Sequence, residues 1–257
     1  MPELPEVERA VRELRGAIAG KRVERVRTLH PALSRRLSAR QRRSLADAVV
    51  RDVERRGKHQ LILLDDGRVL HAHFRMTGDW TIDHVGDALP RFARATIAFR
   101  DGTRVVLDDP RALSTLDLHA ADAAPVLELG PDPTDAALTP RSFAAVLSKR
   151  RGPIKPVLLD QRVIAGLGNI YAAEALWHAR IAPTTPASSL TTRQAGSLLT
   201  AIRRVIRRAT GARYTDDSTA RLAVYDREGK PCKRCKTPIR RIVQAGRSTY
   251  YCPHCQR

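Results

Sequence analysis

All four cysteines of this 257-residue chain lie near its end, as two Cys-x2-Cys pairs: Cys232 with Cys235, and Cys252 with Cys255. Two such pairs, sixteen residues apart, are typical of a tetrahedral zinc site. Four thiolates leave no open coordination position, so we expect one structural Zn²⁺. A module this small needs the metal in order to fold. The residues between the pairs predict a β-hairpin that turns at Ala245-Gly246. Disulfides are the alternative, and an intracellular chain argues against them.

Basic residues greatly outnumber acidic ones: 46 Lys and Arg face 27 Asp and Glu, a net charge of +19. This balance is typical of proteins that bind a polyanion, and Arg suits bidentate phosphate contacts. A GC-rich genome would explain why Arg outnumbers Lys, but it would not explain why basic residues outnumber acidic ones. We find no apolar run near the ~18 residues of a membrane span and no signal peptide. We therefore expect a cytoplasmic, nucleoid-associated protein that is not secreted and has no membrane partner.

Apolar spacing divides the chain into an initial helix, a strand-rich segment and a helical segment. Helical periodicity over residues 5–18 ends at Gly20. About eight short strands with Asp-Gly hairpin turns follow, which is consistent with a β-sandwich. Further helices are predicted near residues 141–148, 153–159, 169–178 and 191–209. We expect an α+β protein: an N-terminal helix plus a β-sandwich (1–119), a linker (120–138), a helical domain (139–224) and a zinc-ribbon β-hairpin (225–257).

The N-terminal sequence places acid–base groups beside a nucleophile. Loss of Met1 would leave Pro2 as a secondary amine, and a free α-amino group has a pKa near ~8. Such an amine can attack an aldehyde carbon and form an iminium, an electron sink that favours elimination. Glu3 and Glu6 lie within one turn of this amine and can move protons. The alternative is structural, because prolines and acidic residues are also common at helix N-termini.

A glycine-rich segment, Gly166-Leu167-Gly168-Asn169, lies between two predicted helices. Its glycines let another backbone approach closely, and Asn169 would begin the next helix. Amide N–H groups at a helix N-terminus favour an anion. Basic residues precede the segment, so we expect it to bind a phosphate.

These motifs together resemble the Fpg/Nei family of DNA glycosylases, and its formamidopyrimidine-DNA glycosylase branch in particular. The resemblance runs along the whole chain in the family's order. The motifs are the N-terminal Pro-Glu-Leu-Pro-Glu-Val-Glu, Arg56-Gly57-Lys58, His73-x-x-Met76-x-Gly78, Asp109-Pro110-Arg111, Leu129-Gly130-Pro131, residues 160–175, and Ala245-Gly246-Arg247-Ser248-Thr249.

The resemblance implies a monomeric base excision repair enzyme that acts on damaged double-stranded DNA. It implies that the helical domain is a helix-two-turn-helix, with no organic cofactor and no obligate protein partner. It also implies a bifunctional glycosylase and AP lyase that removes oxidised bases such as formamidopyrimidine and 8-oxoguanine. The implied catalytic residues are Pro2 (the nucleophile that attacks C1′), Glu3 (protonation of the sugar), Glu6 (ordering of active-site water), Lys58 (proton donor in β-elimination) and Arg247 (δ-elimination). The implied DNA contacts are Met76, Arg111 and Leu113, which fill the space left by the extruded nucleotide, and Arg150, Lys155 and Asn169, which contact phosphates.

The chain departs from the family pattern in three places. Leu113 stands where the family usually has Phe, and Arg75 stands where it usually has Gly. Residues 210–225 form a shorter segment than the family's loop over flipped 8-oxoguanine. We therefore expect a preference for formamidopyrimidines or oxidised pyrimidines over 8-oxoguanine.

Two other interpretations stay open from the sequence. The short segment favours a Nei-like endonuclease VIII acting on oxidised pyrimidines, whereas Leu4 and Gly-Asn-Ile-Tyr favour the formamidopyrimidine branch. A non-catalytic zinc-ribbon protein that binds nucleic acid would explain the charge and the cysteines. It gives no reason for Pro2, Glu3, Glu6 and Lys58 to occur together.

Overall fold

The computed structural model describes residues 2–210 and 222–257. They form two compact units: Val7–Leu127 with Pro2, and Glu128–Arg257 with Glu3–Glu6. Helix α1 (Leu4–Ile18) therefore gives its first residues to the second unit and the rest to the first.

The first unit is a β-sandwich of two four-stranded sheets, and every neighbouring pair of strands is antiparallel. One sheet has the order β1-β6-β7-β5 and the other β2-β3-β4-β8. The strands are β1 (Val23–Thr28), β2 (Val50–Arg56), β3 (His59–Leu64), β4 (Val69–His73), β5 (Asp79–His84), β6 (Ala93–Phe99), β7 (Thr103–Asp108) and β8 (Thr115–His119). The predicted helix, sandwich and Asp-Gly hairpins are confirmed.

The core of the first unit lies between α1 and the two sheets. Val7, Val11, Leu14 and Ile18 recur at helical spacing and are buried together with alternate residues of the strands. Strand β3 shows this alternation clearly, because every second residue from Gln60 is buried and those between are half-buried. Each strand thus has one core face and one outer face.

Two short helices that the sequence analysis missed connect β1 to β2. They are α2 (Pro31–Arg36) and α3 (Ala39–Ser44). The signals were local: Pro31 stands in the first turn of α2, and Ser38 and Gln41 form a capping box at α3. Both helices are too short for apolar periodicity to reveal them.

The second unit is helical, as predicted. Its helices are α4 (Pro140–Leu147), α5 (Ile154–Leu159), α6 (Asn169–Ala179) and α7 (Thr192–Ala209), with a 3₁₀ turn at Ala187–Ser189. Helix α7 buries Leu198, Ile202 and Val205 in a core shared with α4 and α6. The Leu-Gly-Pro motif has a steric reason, because a Cβ on Gly130 would lie 2.5 Å from the Arg162 carbonyl oxygen.

The predicted hairpin of the ribbon is confirmed as β9 (Arg240–Gln244) and β10 (Arg247–Tyr251). Ala245 and Gly246 connect them with φ of 47° and 71°. Positive φ at both central residues is the mark of a type I′ turn, which matches the twist of the paired strands.

Residues 120–138 contain no helix and no strand. The shortened lesion-capping segment falls mostly on residues 211–221, which lie outside the described part of the chain. Within residues 2–210 and 222–257, no helix combines the length and the apolar character that a membrane crossing requires.

Candidate active site

The N-terminus of α6 holds the carboxylate of Glu3. Glu3 is fully buried. Its Oε2 accepts from the backbone N–H of Gly168 at 2.8 Å and of Tyr171 at 3.3 Å, and its Oε1 accepts from Ile170 at 2.8 Å. The sequence predicted an anion at this helix start, and the Glu3 carboxylate accepts three of the N–H groups there. A Cβ at position 168 would lie 2.4 Å from Cδ of Glu3, so any other residue there would displace the Glu3 side chain.

Glu6 fixes the peptide that follows Pro2. Its Oε2 accepts from the backbone N–H of Glu3 at 2.8 Å, and its Oε1 accepts from the Tyr171 hydroxyl at 2.5 Å. Leu4 adds a backbone hydrogen bond of 3.0 Å to the carbonyl of Gly166. Residues 3–6 are therefore held by the segment that leads into α6. The peptide bond from Pro2 to Glu3 in turn restricts the position of the Pro2 nitrogen.

Pro2 and Lys58 belong to the first unit, and both are half-buried. Lys58 lies in the tight turn from β2 to β3, directly after Gly57, whose φ is 59°. The Arg55 guanidinium donates to the Gly57 carbonyl at 3.2 Å. The Arg-Gly-Lys motif is thus a left-handed turn that places Lys58 at the start of a strand.

Three predicted gap-filling side chains, Met76, Arg111 and Leu113, are exposed on two loops of the first unit. Met76 is 37% exposed and Leu113 is 44% exposed. Large apolar side chains left in water at loop tips are available to enter a DNA duplex.

Buried Asp109 ties these two loops together. Its Oδ2 accepts from the backbone N–H of Leu113 at 2.7 Å and of Ser114 at 2.8 Å, and its Oδ1 accepts from Arg111 N–H at 3.1 Å and from the Thr77 hydroxyl. Burial raises the pKa of Asp109, but hydrogen bonds from Ser114 and Thr77 outweigh it and leave the pKa below its ordinary value. The ionised carboxylate therefore sets the shape of both loops.

The predicted contact between Lys155 and a phosphate disagrees with the structure, in which Lys155 is buried and only 1% exposed. Its Nζ donates to Asn169 Oδ1 at 2.6 Å, Thr249 Oγ1 at 2.8 Å and the Ser248 carbonyl at 2.9 Å. An ammonium has three donors, so none is left for a phosphate. Burial lowers the pKa of Lys155 to about 8, although Glu3 opposes the shift and Arg247 adds to it.

Lys155 instead positions Asn169, whose side-chain amide also donates to the Ser248 carbonyl at 3.0 Å. Asn169 is half-buried at the first position of α6. Arg247 is exposed at the start of β10, and Arg150 is half-exposed with its guanidinium 3.9 Å from the Asp160 carboxylate. These two guanidinium groups keep accessible donors.

The four cysteines of the ribbon converge as predicted, with their sulfur atoms within 4.8 Å of one another. A tetrahedral zinc with Zn–S bonds of ~2.3 Å places its sulfurs about 3.8 Å apart, and Cys235 and Cys252 have their sulfurs 3.5 Å apart. The indole N–H of Trp177 donates to the Cys232 sulfur at 3.4 Å. The donor set fits one structural Zn²⁺ with no position for a substrate.

Three family models match the chain. They are the formamidopyrimidine-DNA glycosylase N-terminal domain over residues 1–116, the formamidopyrimidine-DNA glycosylase H2TH domain over 129–219, and a zinc finger found in FPG and IleRS over 229–257. The chain belongs to the formamidopyrimidine-DNA glycosylase family. The recognised resemblance and fold class are confirmed.

Curated formamidopyrimidine-DNA glycosylases match this family member over its whole length. That of Rhizorhabdus wittichii is 39% identical over 273 residues, and that of Geobacillus kaustophilus is 37% identical over 282 residues, each with full coverage of both chains. Lactococcus lactis Fpg bound to DNA with an AP site superposes with a TM-score of 0.90 at 30% identity, covering 99% of each chain. MutM in complex with DNA containing carbocyclic 8-oxo-G has a TM-score of 0.89 at 29% identity over 100% of both chains.

Two residues that shape the site of this formamidopyrimidine-DNA glycosylase family member, Tyr171 and Asp109, have no role predicted from the sequence. Tyr171 appeared only as part of a motif, and its hydrogen bond to Glu6 joins residues 165 positions apart. Asp109 appeared as a motif residue without a role. No local pattern marked Tyr171, and the Asp-Pro turn was the available signal for Asp109.

Proposed function

We propose that this chain is a DNA glycosylase and AP lyase of base excision repair that removes oxidised bases from double-stranded DNA. The relatives with full coverage are named formamidopyrimidine-DNA glycosylases, and the structural neighbours are complexes with DNA that contains an AP site or an 8-oxoguanine analogue. The observation that carries the proposal is the buried carboxylate of Glu3, which three backbone N–H groups hold one residue after Pro2 in the chain. A protein that only binds nucleic acid has no use for this pair.

In the proposed reaction, the Pro2 nitrogen attacks C1′ of the damaged nucleotide. The N–C1′ bond forms and the bond from C1′ to the base breaks, and the base leaves with the electron pair and takes up a proton. Glu3 takes up the proton that the Pro2 nitrogen loses as the N–C1′ bond forms and passes it to O4′, so that the sugar ring opens and the iminium forms. Three backbone N–H groups stabilise the carboxylate that remains on Glu3. Glu6 holds the peptide N–H of Glu3 and, with it, the orientation of the nucleophile.

The iminium then accepts electrons in two eliminations. Loss of the C2′ proton breaks the C3′–O bond, with Lys58 as the proton donor, and a second elimination breaks the C5′–O bond, with Arg247 at the phosphate. Hydrolysis of the iminium returns the amine. Both phosphodiester bonds to the nucleotide are then broken.

DNA binding is proposed to use side chains on both units. Extrusion of a nucleotide costs a few kcal/mol and leaves a gap in the stack, which Met76, Arg111 and Leu113 fill. Arg150 and Asn169 contact phosphates, and Lys155 acts only through Asn169. The substrate is damaged double-stranded DNA, and the protein acts as a monomer in the cytoplasm, associated with the nucleoid.

We assign the functional domains as a catalytic sandwich over 1–119, a linker over 120–138, a helix-two-turn-helix over 139–224 and a zinc finger over 225–257. The family-model boundaries at 116, 129, 219 and 229 support this division.

The lesion preference is a finer proposal. The short segment 210–225 favours formamidopyrimidines or oxidised pyrimidines over 8-oxoguanine, and Leu113 and Arg75 change the surface that meets the damaged pair. The names of the curated relatives support the formamidopyrimidine branch over the Nei-like alternative. Equal single-turnover rates on formamidopyrimidine and 8-oxoguanine duplexes would contradict this preference.

Borohydride trapping tests the proposed chemistry. The protein is prepared with Pro2 as its first residue and, as the matched control, with a retained N-terminal tag that converts the Pro2 nitrogen into an amide without nucleophilicity. Four duplexes are compared, carrying formamidopyrimidine, 8-oxoguanine opposite C, thymine glycol or an abasic site. We expect covalent adducts with the free amine only, and their ranking gives the lesion preference. Adducts with the blocked protein would overturn the role of Pro2. Bound DNA without any adduct would favour the non-catalytic interpretation.

A further inference from the structure

A row of imidazoles crosses the outer face of the sheet β2-β3-β4-β8. Four of the eight histidines of the chain lie in this row: His59 on β3, His71 and His73 on β4, and His119 on β8. All four are half-buried, whereas the residues that alternate with them on β3 and β4 face the core. None of the chemistry proposed above uses His59, His71 or His119.

His59 and His71 are in direct contact. His59 pairs with His73 across the strands and His71 pairs with Leu61, so His59 and His71 are diagonal neighbours on one face, within reach of aromatic side chains. Their rings lie 5.0 Å apart, and Nδ1 of His59 is 2.8 Å from Nε2 of His71. One proton bridges the two nitrogens.

We propose that His59 and His71 chelate a divalent transition-metal ion through Nδ1 of His59 and Nε2 of His71. Metal–imidazole bonds of 2.0–2.1 Å at angles between 90° and 110° place the two nitrogens about 2.8–3.4 Å apart. The observed separation of 2.8 Å falls at the lower end of this range. An ion can therefore replace the bridging proton with small ring movements, and water completes its coordination.

The protonation of the pair suits a metal. Burial lowers the pKa of His59 to about 4 and also lowers the pKa of His71, and both shifts favour the uncharged ring that a metal requires. When the ion binds, the bridging proton moves to the remote nitrogen of its own ring, and no net proton is released. The positive charges of Lys58, Arg75 and Arg36 oppose binding, and Asp117 opposite His71 offsets part of them.

His119 supplies an independent observation. Its Nε2 is buried and has no hydrogen-bond partner, and its ring lies 5.6 Å from that of His71. Imidazoles that bind a metal usually donate their other N–H to a neighbouring acceptor. His119 Nε2 is an unpaired ring nitrogen on the same face of the sheet as His71.

His73 does not join the chelate. Its Nδ1 accepts from the backbone N–H of Arg75 at 2.9 Å, so in the neutral ring the proton is on Nε2 and no lone pair is left. With two imidazole ligands, Cu²⁺, Ni²⁺ and Zn²⁺ are favoured over Mn²⁺, and Mg²⁺ and Ca²⁺ prefer oxygen ligands.

Calorimetric titration with Ni²⁺ tests the site, on full-length protein already loaded with zinc. His59→Gln and His71→Gln each remove one ligand, and His84→Gln is the matched control, since His84 is an exposed histidine on the other sheet. Wild type and His84→Gln are expected to bind one Ni²⁺ per chain. Each ligand variant is expected to bind it more than ~10-fold more weakly, because even outer-shell changes cost that much in metal affinity.

Thermal unfolding gives a second measurement that does not depend on activity. Ni²⁺ is expected to raise Tm in wild type and His84→Gln but not in the two ligand variants, whose circular dichroism without Ni²⁺ should match wild type. Equal Ni²⁺ affinity in all four proteins, no binding to wild type, or release of the cysteine-bound zinc in step with Ni²⁺ uptake would each overturn the proposal. No DNA is needed, so failure here leaves the proposed glycosylase activity untouched.

Discussion

Two buried carboxylates, Glu3 and Glu174, are held in the same way at different places in the second unit. Glu3 accepts from three backbone N–H groups at the start of α6. Glu174, inside α6, accepts from the backbone N–H groups of Ala223, Val224 and Tyr225 at 2.7, 2.9 and 3.0 Å. Both are less than 5% exposed, at 0% and 4%. Helix α6 thus receives one carboxylate at its N-terminus and supplies another to the chain that enters the ribbon.

The two carboxylates differ in their surroundings. Glu3 directly follows Pro2, whereas Glu174 lies beside apolar residues such as Ala173 and Trp177 that pack on the ribbon. Burial raises the pKa of Glu174 against the effect of its three hydrogen bonds. Burial and hydrogen bonding therefore do not identify a catalytic carboxylate. The proposed nucleophile Pro2, which precedes Glu3 in the chain, distinguishes the two carboxylates, and the following predictions test this distinction.

The largest effect is expected for Glu3→Gln. The side chain keeps its size but can no longer take up and deliver a proton, so excision of formamidopyrimidine should slow by about 10²–10⁴-fold, the usual contribution of general acid–base catalysis. Single-turnover kinetics on a defined duplex measure this rate, with DNA affinity measured in parallel. A rate close to wild type would mean that Glu3 only shapes the turn before α6.

Glu174→Gln should affect stability and not chemistry. One oxygen is replaced by an NH₂ group that faces backbone donors, which costs ~1–3 kcal/mol for a buried donor left without a partner. Urea unfolding measures the loss, and the single-turnover rate of the folded protein should stay close to wild type. A fall in rate as large as that of Glu3→Gln would remove the distinction between the two carboxylates.

The pH dependence of stability should reveal the charge of Glu174. Its pKa in the folded protein is raised above 4.5, so its contribution to stability is fully present below pH 4.5 and is lost as the pH rises through the folded value. The stability of wild type relative to Glu174→Gln should therefore fall as the pH rises from about 4.5. Urea unfolding of both proteins across this range provides the measurement, and a difference that is constant with pH would contradict the raised pKa.

The smallest effects are expected on the salt dependence of DNA binding, where buried Lys155 is compared with half-exposed Arg150. Arg150→Gln should reduce the slope of log K for DNA against log salt by about 1, because one phosphate contact is lost. Lys155→Gln should leave the slope unchanged and lower affinity only through Asn169. Binding to an abasic-site duplex over a range of salt concentrations separates these outcomes. An equal change in slope for both variants would restore Lys155 as a phosphate contact.

Local patterns predicted much of the fold. The apolar spacing of α1 and α7 marks amphipathic helices, and the Asp-Gly turns mark the hairpins β3–β4 and β6–β7, because each pattern acts over a few residues. Helices α2 and α3 were not predicted, because each has six residues and therefore less than two turns of apolar periodicity. The spacing of the cysteines was enough to predict the zinc site, because each Cys-x2-Cys pair is also a pattern of a few residues.

The sequence by itself determined the family and the zinc ligands, and it supplied the roles proposed for Pro2, Glu3 and Lys58, because these follow from residue types in a short order. Only the tertiary structure decided that the anion at the start of α6 is Glu3, that Lys155 is buried under the ribbon hairpin, and that His59 meets His71. Each depends on residues far apart in the chain or on different strands. Burial and hydrogen-bond partners at such positions are set by packing, which no local pattern encodes.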